Sequence, residues 1–174
     1  MKALQTFPLR STEGPDGVTP QHLKDILPEA PDNKLMDSMT QIINRKLAGS
    51  FPISINEIIF GGRLIALEKK GGGVRPLAIG YVFKRLVAIC ANHYVIARRS
   101  ECLKSIQLGV GVPEGAEAGV HAKRRLLLQP STDHVVVKLE FANAFDSAWR
   151  DLSLETIAIN TPELYRFVHC DILR

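Results

Sequence analysis

The spacing of apolar residues along the chain predicts several short helices separated by turns. Thr19 and Pro20 have the pattern of an N-cap followed by proline at the first helical position, and they predict a helix to about Leu27. A longer helix, which Gly49 is expected to end, is predicted by the stripe Leu35, Met39, Ile42, Ile43 and Leu47. A third is predicted by Phe83, Leu86, Val87, Cys90, Ala91 and Tyr94, and further helices by residues 114–129, 153–159 and 162–174.

Two parts of the chain have the composition of β-structure. Residues 63–67 and 74–79 flank Lys69-Lys70-Gly71-Gly72-Gly73 and predict a hairpin with two lysines at its tip, and Pro76 favours an edge strand. The β-branched run 135–139 predicts a buried strand. Phe51-Pro52, ahead of the hairpin, predicts a connector. Several helices with few strands indicate an α+β fold.

Length and composition set the class of protein. The chain has 174 residues, 45% of them hydrophobic, which is enough for a core of ordinary size. Its sequence shows neither an apolar run long enough for a membrane span nor the pattern of a secretory signal. Three widely spaced cysteines (Cys90, Cys102 and Cys170) favour reduced thiols in an intracellular protein, with cytoplasm and nucleus both open.

Basic residues are concentrated in the middle of the chain. Residues 61–130 contain 12 basic and 4 acidic side chains, whereas residues 131–174 contain 4 basic and 7 acidic ones. This distribution is typical of a surface that binds a polyanion, and equally of a solvated basic face without a partner. Charge therefore indicates a class of partner and no chemistry.

Two groups of residues are candidates for phosphate and metal chemistry. Lys69, Lys70 and Arg75 place two ammonium groups and a guanidinium on one ribbon, which suits a triphosphate clamp, although a solvated hairpin has the same composition. Glu140, at the end of the predicted strand, has the position of a Mg²⁺ ligand, while Phe145 suits either a site or a core. The sequence contains no P-loop, dinucleotide, nucleophile-elbow or zinc-protease motif.

Four blocks follow one another along the chain over roughly residues 14–155: GPDGVTPQHL, FGGRLIALEKKGGGVRPLAIG, QLGVGVPEGAEAGVHAKRRL and VVVKLEFANAFDSAWRD. In this order they resemble the reverse transcriptase (RNA-directed DNA polymerase) of non-long-terminal-repeat, LINE-like retrotransposons. The resemblance implies helical fingers with a β-hairpin and the start of a polymerase palm, truncated before the remaining palm strands and the thumb. It implies a loose leading segment (1–18), a fingers-like region (19–130) with the hairpin at 63–79, and an incomplete palm (131–174).

Position by position, the resemblance implies a nucleotide site on the hairpin. Arg75 matches the arginine that contacts the triphosphate of an incoming deoxynucleoside triphosphate, with Lys69 or Lys70 beside it. Phe145 matches the aromatic residue that excludes a ribose 2′-hydroxyl group.

The resemblance also implies a metal site and a template surface. Glu140 stands where the family places its first catalytic aspartate, and the backbone carbonyl of Phe141 would complete the metal shell. Gln107 and Gly109 match the Q-x-G block that packs against the template strand. Further contacts to the nucleic acid are expected from Arg63, Lys84, Arg85, Lys123, Arg124 and Arg125.

Two departures from the family argue against catalysis. Glu140 is one methylene longer than aspartate, and a shift of about 1 Å at a catalytic group costs ~10²-fold in rate. The 174 residues contain no Asp-Asp pair, which the family uses to hold its two Mg²⁺ ions. We therefore expect this chain not to hold the implied Mg²⁺ stably and not to polymerise on its own.

Three functions stay open from the sequence. The first is a truncated polymerase domain with ancestral contacts to an RNA template or RNA–DNA hybrid and to nucleotide. The second is a nucleic-acid-binding module derived from a retroelement, and the third is a translated relic without a selected activity. The sequence predicts no membrane partner and no particular oligomeric state.

Overall fold

A computed structural model describes residues 2–29, 34–103, 107–128, 135–141, 144 and 147–172. These residues form helices and one small two-stranded antiparallel sheet, which is compatible with the predicted α+β class. The elements are α1 (Lys2–Gln5), α2 (Pro20–Glu29), α3 (Lys34–Leu47), α4 (Ile53–Phe60), β1 (Gly62–Glu68), β2 (Val74–Gly80), α5 (Val82–Leu103), α6 (Gly115–Leu128), α7 (Arg150–Asn160), a 3₁₀ turn (Pro162–Leu164) and α8 (Tyr165–Ile172).

The chain divides into two compact units. The first comprises residues 1–91 and 150–174, and the second comprises residues 92–149. The first unit therefore joins the N-terminal helices, the hairpin and the start of α5 to α7 and α8. The predicted boundaries at residues 19 and 131 stay predictions.

The ends of α2 and α3 have the local chemistry that their sequences predict. Thr19 caps α2, because its Oγ1 accepts a hydrogen bond from the His22 backbone N–H and the His22 ring accepts one from the Thr19 N–H, both at 3.3 Å. Gly49 ends α3 with a φ of 62°, and Ser50 N–H donates to the carbonyl of Arg45 at 3.0 Å. This arrangement is a Schellman motif, which satisfies carbonyls that the last turn leaves open.

The main core lies in the first unit, between α1, α2, α3 and α5. Leu4 and Phe7 come from the leading segment that was expected to be loose, and both are buried. The other buried members of this cluster are Leu27, Met39, Val82 and Leu86. Burying each such side chain contributes about 1.5–3 kcal/mol, which explains why the leading segment is held against the helices.

The hairpin forms as the sequence predicts, and the structure adds its register. Arg63 pairs with Ile79 and Leu67 with Arg75. β1 is one residue longer than predicted at both ends, and β2 is one residue longer at its C-terminal end. Gly72 and Gly73 have φ values of 86° and 89°, a conformation that residues with side chains rarely adopt. The glycines therefore allow the tight turn.

In the second unit a close backbone approach fixes the start of α6. Glu114 has a φ of 55°, and Gly115 is buried with its N–H donating to the carbonyl of Val112 at 3.1 Å. A Cβ at position 115 would overlap the carbonyl oxygen of Leu108. Only glycine therefore fits here without movement of the loop.

The structure corrects two predictions of secondary structure. Residues 135–141 contain no strand and lie exposed, with Val135 at 86% and Val137 at 70%, so the prediction of a buried strand was wrong. High β-propensity is not enough, because a strand needs a neighbour, and β1 and β2 pair only with each other among the described residues. The connector after Pro52 is in fact largely the short helix α4, in which five of the eight residues are apolar.

Candidate nucleic-acid interface

The basic residues of the hairpin lie at two positions along its length, one near the open end and one near the turn. Arg75 lies directly opposite Leu67, and Arg63 lies four residues before Leu67 on the same strand. Directly opposite residues share a side of the sheet, and so do residues an even number of positions apart on one strand, so Arg63 and Arg75 lie on the same face. They stand about four residues apart along the ribbon, roughly 13 Å. Lys69 and Lys70 lie at the tip, beyond Arg75.

The three outer cations of the hairpin, Lys69, Lys70 and Arg75, form what we call the tip cluster. All three side chains are exposed, and no ion pair or side-chain hydrogen bond engages them within the described residues. Arg63 differs, since its guanidinium forms an ion pair with Glu13 at 3.8 Å. The tip cluster is therefore the part of the hairpin whose charges are open to solvent and to ligands.

Lys84, at the start of α5, is engaged inside the first unit. Its Nζ lies 2.6 Å from the carboxylate of Asp171 and donates to the carbonyl oxygen of Phe60 at 2.8 Å. The first contact ties α5 to α8, and the second satisfies a carbonyl at the end of α4, where the helix dipole favours a cation. This ammonium group has contacts that a phosphate would have to replace.

Arg85 is likewise engaged by its own chain. Its guanidinium donates to the carbonyl oxygen of Thr12 at 2.6 Å and lies 5.6 Å from the centre of the Phe7 ring. Burial lowers the pKa of Arg85, and the carboxylate of Asp16 opposes that shift. The side chain therefore holds the leading segment against α5.

A third engaged cation, Lys46, was not singled out from the sequence. It is completely buried on α3, its Nζ donates to the carbonyl of Ile59 at 2.7 Å, and it lies 4.3 Å from the centre of the Phe60 ring. Burial first, and then the charge of Lys84, lowers the pKa of Lys46 to about 8, while Asp171 acts in the opposite direction. Lys46 and Lys84 together cap the C-terminal end of α4.

The sequence did hold a signal for this lysine. Lys46 follows Met39 by seven residues and Ile43 by three, which places it on the apolar face of α3. A cation at such a position has to find partners inside the fold.

Gln107 and Gly109 form a local turn in the second unit. The side-chain oxygen of Gln107 accepts a hydrogen bond from the Gly109 N–H at 2.7 Å. Both residues are exposed, and the bond fixes the loop that leads to Gly115. The structure thus gives the Q-x-G block a conformational role, and its predicted contact with a template stays a prediction.

The three cations of α6 are exposed but do not share one side of the helix. Successive residues turn by about 100°, so Arg124 points about 100° from each of its neighbours, and Lys123 and Arg125 point about 160° apart around the other side of the helix. One face of a nucleic acid would therefore contact two of the three most directly. They lie near the C-terminal end of α6, where the helix dipole stabilises positive charge.

The predicted metal position is solvent-exposed. The Glu140 side chain is 85% exposed and forms an ion pair at 3.6 Å with Lys138, while Phe141 is 76% exposed. In the described part of the chain, no three His, Cys, Asp or Glu residues lie together as metal ligands would. These residues do not fit a site for two Mg²⁺ ions, and Phe145 lies outside the described residues.

Comparisons with protein-family models, with curated proteins and with solved structures find no match to this chain. Within the described ranges, none of the helices combines the length and apolar character that crossing a bilayer requires.

Proposed function

We propose that this chain is the fingers and early palm of a reverse-transcriptase-like polymerase that binds nucleic acid and does not polymerise on its own. The tip cluster carries the proposal, because it presents three cations on one short ribbon with their charges exposed. The four sequence blocks supply the polymerase assignment, which rests on resemblance. The exposed α6 cations are a second candidate contact.

Phosphate binding follows from the chemistry of the tip cluster. A guanidinium group can donate two parallel hydrogen bonds to a phosphate, and two ammonium groups add mobile point charges. Exposed lysines and arginines that neutralise phosphates release condensed counterions, and this release supplies much of the free energy of binding. RNA, an RNA–DNA hybrid and a nucleoside triphosphate all present the required oxygens.

A binding role without catalysis is the second candidate, and the surroundings of Glu140 favour it. This carboxylate faces solvent beside a lysine, with no cluster of further carboxylates in the described residues. A retroelement-derived binding module would need only the cations. We derive no catalytic step from this site.

The test is the affinity for a fluorescent RNA–DNA hybrid across a series of salt concentrations, with and without Mg²⁺. We expect the logarithm of the binding constant to fall linearly with the logarithm of the salt concentration, with the slope of several released counterions. Affinity that does not depend on Mg²⁺ would favour the binding module, and primer extension would contradict the proposal that this chain does not polymerise on its own. A folded chain that does not bind would leave only a relic.

A further inference from the structure

Residues 135–141 (VVVKLEF), which we call the VF segment, expose an apolar side to solvent. Val135, Val137, Leu139 and Phe141 are 86%, 70%, 73% and 76% exposed. Their spacing of two places them on one side of an extended chain. Large apolar side chains exposed together in this way are typical of a surface that contacts another molecule.

The other side of the VF segment has one apolar and two charged side chains, because Val136, which is 44% exposed, shares it with Lys138 and Glu140. Lys138 and Glu140 are 84% and 85% exposed, and their Nζ and Oε2 atoms lie 3.6 Å apart. Two side chains at this spacing reach each other when the backbone is extended, since both then point to the same side. Residues 137–141 therefore have the alternation of a half-buried strand, but they have no strand beside them among the described residues.

We propose that the VF segment is a self-association site, at which two copies of this chain pair as antiparallel strands about a two-fold axis at Leu139. In that register Lys138 of each copy lies opposite Glu140 of the other. Val137 of each copy lies opposite Phe141 of the other. Each pair then occurs twice, as an isologous interface requires.

Charge selects both the partner and the orientation. The charges of Lys138 and Glu140 cancel, so the segment has little attraction for a polyanion. Its best complement is a strand with the reverse order of charges. An antiparallel second copy supplies that order. A parallel copy in register would place Lys138 opposite Lys138 and Glu140 opposite Glu140, which repels.

The segment also has the composition of strands that self-associate. It has four β-branched or aromatic residues, no proline, no glycine and no net charge. Pairing places Val137, Leu139 and Phe141 of both copies beside one another on one side of the ribbon. Because a two-stranded ribbon is only marginally stable in water, we expect a weak dimer that forms at high protein concentration.

Charge reversal in the full chain tests this pairing by sedimentation equilibrium. Lys138→Glu places like charges opposite each other twice, as does Glu140→Lys, and we expect each to weaken the dimer on the order of tenfold. A mixture of the two variants restores opposite charges at both positions, and so does the double variant K138E/E140K. Restored dimerisation in both cases is the expected result.

A disulfide trap tests the register. In a variant with Cys90, Cys102 and Cys170 replaced by serine, Leu139→Cys places two thiols across the two-fold axis, within the range of a disulfide. Val137→Cys is the matched control, since it is similarly exposed but lies roughly 13 Å from its own symmetry mate along the ribbon. We expect rapid dimer formation by the Leu139→Cys protein alone.

Three results would overturn the proposal. The first is a wild-type chain that stays monomeric into the millimolar range. The second is a dimer that charge reversal leaves unchanged, which would place the interface elsewhere. The third is equal disulfide formation at positions 137 and 139, as random collisions would give.

Discussion

The tip cluster and the lysine–arginine pair that opens α5 are close in sequence and alike in charge, yet their side chains have different surroundings. Lys69, Lys70 and Arg75 face solvent. Lys84 and Arg85 donate to backbone carbonyls of Phe60 and Thr12, and thereby join parts of the chain that are distant in sequence. The same basic stretch therefore contains two kinds of cation, those that stabilise the fold and those that are open to a ligand.

The largest expected effect concerns Lys46, the buried member of the engaged group. Its pKa is about 8 in the folded chain against 10.5 for an ordinary lysine, so between these values the unfolded chain holds a proton that the folded chain has lost. The free energy of unfolding should therefore rise with pH through this window. The stabilisation, about 3 kcal/mol in full, is present above pH 10.5 and is lost as pH falls through about 8.

Urea unfolding from pH 7 to pH 10.5 measures this contribution as a difference between variants. Lys46→Met keeps an apolar stem and removes the titrating group, so its stability should rise less with pH than that of the wild type. Lys2→Met, which changes an exposed lysine, should keep the wild-type dependence. Identical pH profiles for wild type and Lys46→Met would contradict the burial of this ammonium group.

The next largest effect is expected at Lys84. Lys84→Ala leaves the carboxylate of Asp171 without its ion-pair partner and a carbonyl at the end of α4 without a donor. We expect a loss of about 2 kcal/mol in the free energy of unfolding, measured by urea titration. Lys69→Ala, on the hairpin tip, should change it by less than about 0.5 kcal/mol. Equal losses for the two variants would remove the distinction between engaged and open cations.

Arg85→Ala should cost somewhat less, about 1.5 kcal/mol, through loss of the bond to Thr12 and of the contact with the Phe7 ring. Thermal unfolding compares this variant with Arg75→Ala, which removes an exposed guanidinium from the hairpin. The Arg75 variant should unfold at the wild-type temperature. If the Arg75 variant were destabilised and the Arg85 variant were not, Arg75 would be the arginine that stabilises the fold and Arg85 the one that is open to a ligand.

The smallest of these effects is expected in nucleotide binding by the tip cluster. Arg75→Ala should weaken the binding of a deoxynucleoside triphosphate about tenfold, because a two-pronged contact to phosphate is lost. Arg75→Lys keeps the charge without the planar fork and should fall between wild type and alanine. Calorimetry measures all three. An unchanged dissociation constant for Arg75→Ala would exclude this residue from a triphosphate site.

Local patterns predicted much of the fold. Thr19, Gly49 and the glycines after Lys70 determine helix ends and a turn through interactions within a few residues, and the structure confirms these elements. The segment after Val135 shows the limit of such patterns, because β-propensity does not supply a partner strand. The helix α4 was missed because Phe51-Pro52 was interpreted as the start of a connector, although Ile55, Ile58 and Ile59 have the i, i+3, i+4 spacing of a helix.

The candidate site was less predictable than the fold, since long-range partners decide the state of each cation. The sequence contains Lys84 and Asp171, but only the fold brings their side chains together. Lys46 could have been found, because it interrupts an apolar stripe. Glycine is needed at position 115 because the preceding loop brings the Leu108 carbonyl close to it, and no local sequence motif predicts the path of that loop.

The most direct test of the account compares two triple variants in the salt dependence of binding to an RNA–DNA hybrid. Lys69→Ala/Lys70→Ala/Arg75→Ala removes the tip cluster, and Lys2→Ala/Arg150→Ala/Arg166→Ala removes three exposed cations elsewhere, with the same change in net charge. We expect the first triple to lower the log–log slope by about 2–3 and the second to leave it near the wild-type value. Equal slopes for the two triples would show that the tip cluster is an ordinary solvated surface.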